Sequence, residues 1–310
     1  MSVAWLFPGQ GSQSVGMGKA LSEASPAARA VFERADRALG FSISRLCFEG
    51  PETDLVLTKH AQPAILTTSI AALEALREAV PSLEQPAFVL GHSLGEYSAI
   101  VAAGALEFED AVRVVHERGL AMQEAVPEGQ GGMAAIMGGD GASVTQLCAD
   151  AAQGEVLAPA NFNAPGQIVI AGTQAAVARA VELAKTRSLK AIPLKVSAPF
   201  HSSLMAKACE RVARALGAVT VQDPRVPVVC NVLAEPVTSG ARLRELLVSQ
   251  VDHAVLWEQS ITYVARAGVV RALELGPGQV LAGLVKRIDK SVRVSSVGTP
   301  DGVNKAAESF

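Results

Sequence analysis

The chain has 310 residues, of which 49% are hydrophobic and 18% charged, and its formal net charge is -3. This is the composition of a globular protein, with enough length for one large domain or two unequal ones. No lysine and arginine cluster of the kind that binds nucleic acid stands out. No apolar run reaches the roughly 18 residues that span a bilayer, and the first residues lack the basic segment of a secretory signal. We therefore expect neither a nucleic-acid nor a membrane partner.

The four cysteines (Cys47, Cys148, Cys209 and Cys230) are scattered and show neither metal-ligand nor CxxC spacing. Three of them have apolar neighbours and are interpreted as small core residues. We expect no metal, no redox cofactor and a cytoplasmic location.

Strand and helix signals alternate in the first third of the chain. Ser25 and Pro26 are typical of the start of a helix, and the strands end at glycine turns. This alternation predicts an α/β fold with a largely parallel sheet. The predicted elements are a strand Val3–Phe7, a helix Ser25–Leu39, a helix from about Gln62 to Val80, a strand Ala87–Leu90 and a helix from about Glu96 to Ala103.

The middle of the chain changes character after a glycine-rich stretch, Gly129–Gly132, which we interpret as a linker. The order predicted there is β-α-β-β-α-β, that of a small ferredoxin-like unit. Its elements are Met133–Met137, Ala142–Gln153, Val156–Ala160, Gln167–Ala171, Gln174–Thr186 and Leu189–Leu194.

The remaining elements return to the first pattern. They are a helix Ser203–Leu216, a strand Val226–Val232, a helix Ala241–Val251, a strand Val270–Leu275 and a last helix from about Val280. We therefore predict a large α/β-hydrolase-like domain formed by residues 1–128 and 197–310, with a small ferredoxin-like domain inserted at 129–196. Ligands would bind in the cleft between them.

The sequence Gly91-His92-Ser93-Leu94-Gly95 lies between an apolar strand and a helix rich in small residues. A GxSxG turn in this position presents a serine nucleophile, because flanking glycines let strand and helix pass closely. The N–H of Leu94, at the start of the helix, would be the first donor to an oxyanion. The alternative is an ordinary loop in which Ser93 only caps the helix.

A serine nucleophile needs a base, and among the five histidines we favour His201. It follows the predicted inserted domain and begins a helix at the edge of the expected cleft. Read from the residues alone, it could equally be a helix-capping histidine.

A second glycine turn, Phe7-Pro8-Gly9-Gln10-Gly11, also follows a strand. It could bind phosphate through its amides, although no P-loop lysine follows. Beside the serine turn, the N–H of Gln10 could instead be the second oxyanion donor. A plain tight turn is the other interpretation.

Arg118 occupies an apolar stripe that also contains Ala111, Val114, Val115 and Met122. A buried arginine stays charged and needs an anionic partner. That partner is either an internal glutamate or the carboxylate of a substrate, gripped by two parallel hydrogen bonds.

Six ordered motifs together resemble the malonyl-CoA:acyl carrier protein transacylase family and the related acyltransferase domains of polyketide synthases. They are FPGQGSQ from Phe7, QPA from Gln62, GHSLGEY from Gly91, NFNAPGQ from Asn161, PFHS from Pro199 and GPG from Gly276. The resemblance extends over about the whole chain.

The resemblance implies a role for each matching residue. Ser93 would be the nucleophile, His201 the base, the amides of Gln10 and Leu94 the oxyanion hole, Arg118 the malonyl carboxylate site, and Gln250 the group that orients the histidine through a carbonyl. Around Gln250 the chain has Val and Ala where the family often has Leu and Pro. Phe200 resembles the malonyl-selecting form of the family.

The function implied is a ping-pong transfer of malonyl from malonyl-CoA to acyl carrier protein for fatty acid synthesis, by a monomer that needs no cofactor. Lys286 and Arg287 are candidates to meet the acidic carrier. The alternatives are an acyltransferase of a polyketide pathway, a serine thioesterase or hydrolase, and an acyl-binding scaffold without catalysis. No Asp or Glu is clearly placed as the third member of a hydrolase triad.

Overall fold

The computed structural model describes residues 2–127, 129–194 and 198–309. Its strands form two sheets, one of six strands and one of four. The strands are β1 Ser2–Phe7, β2 Phe88–Gly91, β3 Gly131–Met137, β4 Leu157–Ala164, β5 Gln167–Thr173, β6 Lys190–Pro193, β7 Val228–Cys230, β8 Glu235–Val237, β9 Val269–Leu275 and β10 Arg293–Val297.

The larger sheet has the order β10-β9-β1-β2-β7-β8. Five of its strands are parallel, and β8 pairs antiparallel with β7 at one edge. The predicted α/β class with a largely parallel sheet is therefore confirmed. The loops after β1, β2 and β7 meet at the carboxyl edge of three neighbouring strands, where open parallel sheets bind their ligands.

Helices cover both faces of this sheet, and their apolar sides form separate core clusters with it. Helix α5 is the longest and is buried along most of its length. The helices are α1 Lys19–Ala24, α2 Pro26–Leu39, α3 Ile43–Glu49, α4 Glu52–Leu55, α5 Thr58–Ala79, α6 Gly95–Ala102, α7 Phe108–Glu124, α8 Gly141–Ala152, α9 Gln174–Thr186, α10 Ala206–Gly217, α11 Gly240–Ser249, α12 Trp257–Arg266, α13 Val280–Ile288 and α14 Pro300–Ala307.

The smaller sheet is antiparallel, with the order β4-β5-β3-β6. Its elements follow the predicted β-α-β-β-α-β order along the chain. Strand β4 also pairs with the larger part of the molecule, since the amide of Phe162 donates to the carbonyl of Val255 and the amide of Val255 to that of Ala160. The predicted domain boundaries at 128/129 and 196/197 involve Glu128 and residues 195–197, which lie outside the described residues.

The predicted linker Gly129–Gly132 is wrong for its second half, because Gly131 and Gly132 begin β3. A Cβ on Gly131 would lie 2.3 Å from Cδ of Pro199, and one on Gly132 would lie 2.5 Å from Oε1 of Gln174. The close approach of the Pro199 ring therefore accounts for Gly131, whereas the glutamine side chain near Gly132 could move aside.

Helix α5 begins four residues before the predicted Gln62 and includes Pro63. Proline has no N–H for the carbonyl of Lys59, one turn earlier in the helix. Nδ1 of His116 lies 2.8 Å from that carbonyl oxygen, so a side chain from α7 provides the missing partner.

The end of the chain was also predicted incompletely, because β10 and α14 follow α13, which was predicted to be the last helix.

Within residues 2–127, 129–194 and 198–309, no helix is both long enough and apolar enough to cross a bilayer.

Candidate active site

Ser93 lies in the turn between β2 and α6, with a positive φ of 49°. Such a φ is strained for a residue with a Cβ. The flanking glycines make the turn possible: a Cβ on Gly91 would lie 2.0 Å from the carbonyl oxygen of Gly95, and one on Gly95 would lie 2.0 Å from that of Phe7. Strand β2 and helix α6 thus cross without room for a side chain, and the turn pushes the Ser93 side chain outward.

The Ser93 hydroxyl lies against the imidazole of His201. Oγ of Ser93 is 2.8 Å from Nε2 of His201, and Nδ1 of His201 is 2.8 Å from the backbone carbonyl oxygen of Gln250. Since a carbonyl only accepts, Nδ1 carries the hydrogen and Nε2 is free to accept from the serine. His201 itself has a positive φ of 58° in the turn before the 3₁₀ helix Ser203–Met205.

The imidazole of His201 is 4% exposed. Burial, and to a smaller extent the nearby charge of Arg118, lower the pKa of His201 to about 3. His201 is therefore neutral near pH 7, which is the form that can take a proton from Ser93.

Arg118 is 1% exposed and reaches the site from α7, as its place in the apolar stripe predicts. Its Nη1 donates to Oε1 of Gln62 at 2.7 Å, and its Nη2 donates to Oε1 of Gln250 at 2.9 Å and to Oγ of Ser93 at 3.1 Å. The guanidinium also lies over the ring of Tyr97. In the described part of the chain Arg118 forms no salt bridge, so the internal pair with a glutamate is not found.

An unneutralised buried guanidinium is costly unless an anion joins it. The cation of Arg118 contacts Oγ of Ser93, so an anion that pairs with it would be held beside the Ser93 hydroxyl. A fork of two N–H groups suits a carboxylate better than it suits any neutral group.

The amides of Gln10 and Leu94 are the candidates for an oxyanion hole. Both residues border the cavity at Ser93. Across residues 2–127, 129–194 and 198–309, neither amide donates to another protein group. Leu94 also precedes the first residue of α6, so its N–H adds to the positive end of that helix.

Two residues beneath the turn were not singled out from the sequence. Asn231, at the end of β7, accepts from the amide of Ser93 at 2.7 Å and donates to the carbonyl of Gly91 at 2.7 Å. Glu96, in the first turn of α6, accepts from the backbone N–H of Asn231 and from the side chain of Gln250. The only available sequence signal was the position of Glu96 directly after the GxSxG motif.

A cavity of about 400 Å³ opens above Ser93. Its walls come from both sheets, as the predicted cleft requires, with Met133, Val169 and Leu194 on the side of the smaller sheet and Phe200 beside His201. His92 points away from Ser93 as expected, since its Nε2 lies 2.7 Å from Oδ1 of Asn163. The part of the chain that the structure describes contains no group of three or more His, Cys, Asp or Glu side chains able to hold a metal.

Comparisons with known proteins show the family of the chain. Residues 4–300 match the family model described as an acyl transferase domain. The chain is 48% identical to a malonyl CoA-acyl carrier protein transacylase of Bacillus subtilis, over 99% of this chain and 97% of the relative. It is 45% identical to the protein of the same name from Escherichia coli, over 98% of each.

Solved structures give the same result. The malonyl CoA-acyl carrier protein transacylase of Coxiella burnetii superposes with a TM-score of 0.97 at 39% identity, covering 99% of this chain and 97% of that one. A malonyl-transacylase solved in complex with a type II polyketide acyl carrier protein superposes with a TM-score of 0.97 at 40% identity, covering all of both chains.

Proposed function

Since the chain belongs to the acyl transferase family, we propose that it transfers a malonyl group from malonyl-CoA to acyl carrier protein through an ester on Ser93. Relatives that match nearly its whole length are named for this reaction. The observation that carries the proposal is the hydrogen bond between Nη2 of Arg118 and Oγ of Ser93, 3.1 Å long, because it places a buried cation, without a salt bridge in the described residues, beside a nucleophile.

In the first half-reaction, His201 removes the proton from Ser93 as Oγ attacks the thioester carbonyl carbon of malonyl-CoA. The carbonyl oxygen becomes negative in the tetrahedral intermediate, where the amides of Gln10 and Leu94 donate to it. The carbon–sulfur bond then breaks, and the coenzyme A sulfur leaves with the proton from His201. A malonyl ester remains on Ser93.

In the second half-reaction the carrier thiol is the attacking group and Ser93 is the leaving group. His201 removes the proton from the phosphopantetheine thiol of the carrier, and the sulfur attacks the ester carbonyl. The bond to Oγ of Ser93 breaks, and His201 returns the proton to the serine. The carbonyl of Gln250 holds the imidazole in the tautomer that both steps require.

Arg118 would receive the malonyl carboxylate in place of its present hydrogen bond to Ser93. This exchange both neutralises the guanidinium and orients the acyl chain for attack. Phe200 closes the cavity next to His201 and would leave little room for a branch on the acyl group.

The proposed setting is cytoplasmic fatty acid synthesis by a monomeric enzyme, with a polyketide pathway as the alternative. Lys286 and Arg287 are exposed on α13 and remain candidates for contact with an acidic carrier. The proposed chemistry uses only protein side chains and amides, and so it requires no cofactor.

Incubation with malonyl-CoA, with and without acyl carrier protein, tests this function against a hydrolase. We expect malonyl-carrier to form when the carrier is present, and little free malonate to form when it is absent. Prompt release of malonate without the carrier would instead favour a thioesterase. The Ser93→Ala variant is the control for background hydrolysis in both arms.

A further inference from the structure

Glu96 is a fully buried carboxyl group that the proposed chemistry does not use. It lies directly beneath the serine turn, in the first turn of α6. Its Oε2 accepts from the backbone N–H of Asn231 at 2.9 Å and from Nε2 of Gln250 at 2.8 Å. Burial raises the pKa of Glu96, while these two donors and the charge of Arg118 act in the opposite direction.

The side chain of Gln250 connects this carboxyl group to Arg118. Its Oε1 accepts from Nη2 of Arg118, and its Nε2 donates both to Glu96 and to the carbonyl of Ser93 at 3.0 Å. The amide thus has the cation at its oxygen end and the acidic group at its nitrogen end. A flipped amide would turn its oxygen toward three acceptors, since Nε2 also lies 3.3 Å from Oδ1 of Asn231, and its NH₂ toward the guanidinium, which is unfavourable at every contact.

Asn231 connects Glu96 to the nucleophile by a second route. Its backbone N–H is held by Glu96, while its side chain binds the amide of Ser93 and the carbonyl of Gly91. One carboxyl group therefore supports both the residue that holds the strained turn and the residue that holds the arginine.

We propose that Glu96 is a positioning residue: by orienting the Gln250 amide, it places the Arg118 guanidinium beside Ser93 and so sets the preference for a carboxylated acyl group. This inference rests on the proposed function. The carboxyl group of Glu96 would not touch the substrate. It acts through its hydrogen bonds with Gln250 and Asn231.

Two substitutions of Glu96 test this role, one by weakening its hydrogen bonds and the other by removing them. Glu96→Gln can keep an oxygen toward both donors but weakens the contacts, because the hydrogen bonds lose their charge assistance. Glu96→Ala removes the acceptor and lets the Gln250 amide reorient. We therefore expect the preference for malonyl over acetyl to decrease in the order wild type, Glu96→Gln, Glu96→Ala.

Glu274 provides a matched control. It too is fully buried and accepts two N–H bonds, from Leu281 and Ala282 at 2.9 Å each, but it caps α13 and does not border the cavity at Ser93. Glu274→Gln should lower the melting temperature without changing the preference between acyl groups.

The experiment measures the single-turnover rate of acylation by malonyl-CoA and by acetyl-CoA for the wild type and the three variants, with melting temperatures. We expect the malonyl-to-acetyl ratio to decrease about 3-fold in Glu96→Gln and about 10-fold in Glu96→Ala, the scale of a sub-ångström displacement of a binding group. The ratio in Glu274→Gln should equal that of the wild type.

An unchanged ratio in Glu96→Gln and in any folded Glu96→Ala protein would overturn the proposal, even if their melting temperatures decrease. Should Glu96→Ala fail to fold, Glu96→Gln decides alone. Failure of the proposed function itself would look different, since the wild type would then show no malonyl ester at all.

Discussion

Among individual residues, Arg118 is the most informative because its charge has only neutral hydrogen-bond partners in the described chain. The sequence predicted its burial from the spacing of the apolar stripe, but not which partner it has. Its partners depend on which side chains three other segments of the folded chain bring close to the guanidinium. Ser93 and His201 each lie in a short local motif, GHSLG and PFHS, and the structure brings their side chains into contact.

Asn231 and Glu96 could not be predicted in the same way. Their importance comes from contacts with residues that are far apart in sequence: Asn231 is separated from Ser93 by 138 positions. No local pattern distinguishes a buried asparagine that holds a turn from one that caps a strand. Likewise, the support that Glu96 gives to Gln250 exists only once the residue that follows α11 is brought beside the first turn of α6.

Replacing Arg118 with alanine should decrease malonylation of Ser93 and leave acetylation unchanged or faster. The loss of hydrogen bonds to a charged group amounts to about 1.5–3 kcal/mol, or about 10- to 100-fold in rate. Arg113→Ala is the control, because Arg113 lies on the same helix but is paired with Asp110 at the surface. Malonylation at the wild-type rate in Arg118→Ala would exclude the carboxylate role.

The low pKa of His201 predicts that the protein loses stability in mild acid. Between pH 6.5 and about 3 the unfolded chain protonates this histidine while the native protein does not, so the free energy of unfolding falls as the pH falls. From pH 6.5 to 5 the loss would be at most about 2 kcal/mol. Urea unfolding at both pH values should show a smaller loss in His201→Ala, and equal losses in both proteins would contradict the assignment.

Among the elements, the β2–α6 turn was predicted correctly because its glycines and its serine form one contiguous signal. Short or interrupted elements were not predicted correctly. Helix α5 was predicted to start too late because proline near a helix start normally marks its first turn, whereas His116 here allows Pro63 to sit further inside. The glycines of β3 look like a linker in sequence, since the neighbours that approach them are distant in the chain.

Gly95→Ala tests the close approach of helix α6 to the end of strand β1. The new Cβ would meet the carbonyl oxygen of Phe7, a backbone atom that cannot move aside easily, so we expect a lower melting temperature and loss of Ser93 acylation. Gly217→Ala is the control: nothing lies within 4 Å of its Cβ position at the end of α10, and it should be neutral or stabilising by up to about 1 kcal/mol. Normal acylation in Gly95→Ala would show that this close approach is not required.

At the scale of the whole molecule, the site depends on contributions from both sheets. The larger sheet places Ser93, Asn231 and the loop of Gln10 at the ends of adjacent parallel strands. The smaller sheet provides the opposite wall of the cavity. Alternating strand and helix signals were sufficient to predict the two kinds of sheet, but the order of the strands depends on packing that the sequence pattern does not specify.

In the proposed reaction, Ser93 carries the malonyl group between the two thiols. Intact-mass measurement after brief mixing with malonyl-CoA, in the absence of carrier protein, tests it most directly. We predict one added malonyl group on the wild type, removed when acyl carrier protein is supplied, and none on Ser93→Ala. No added mass on the wild type, or the same added mass on Ser93→Ala, would contradict the claim.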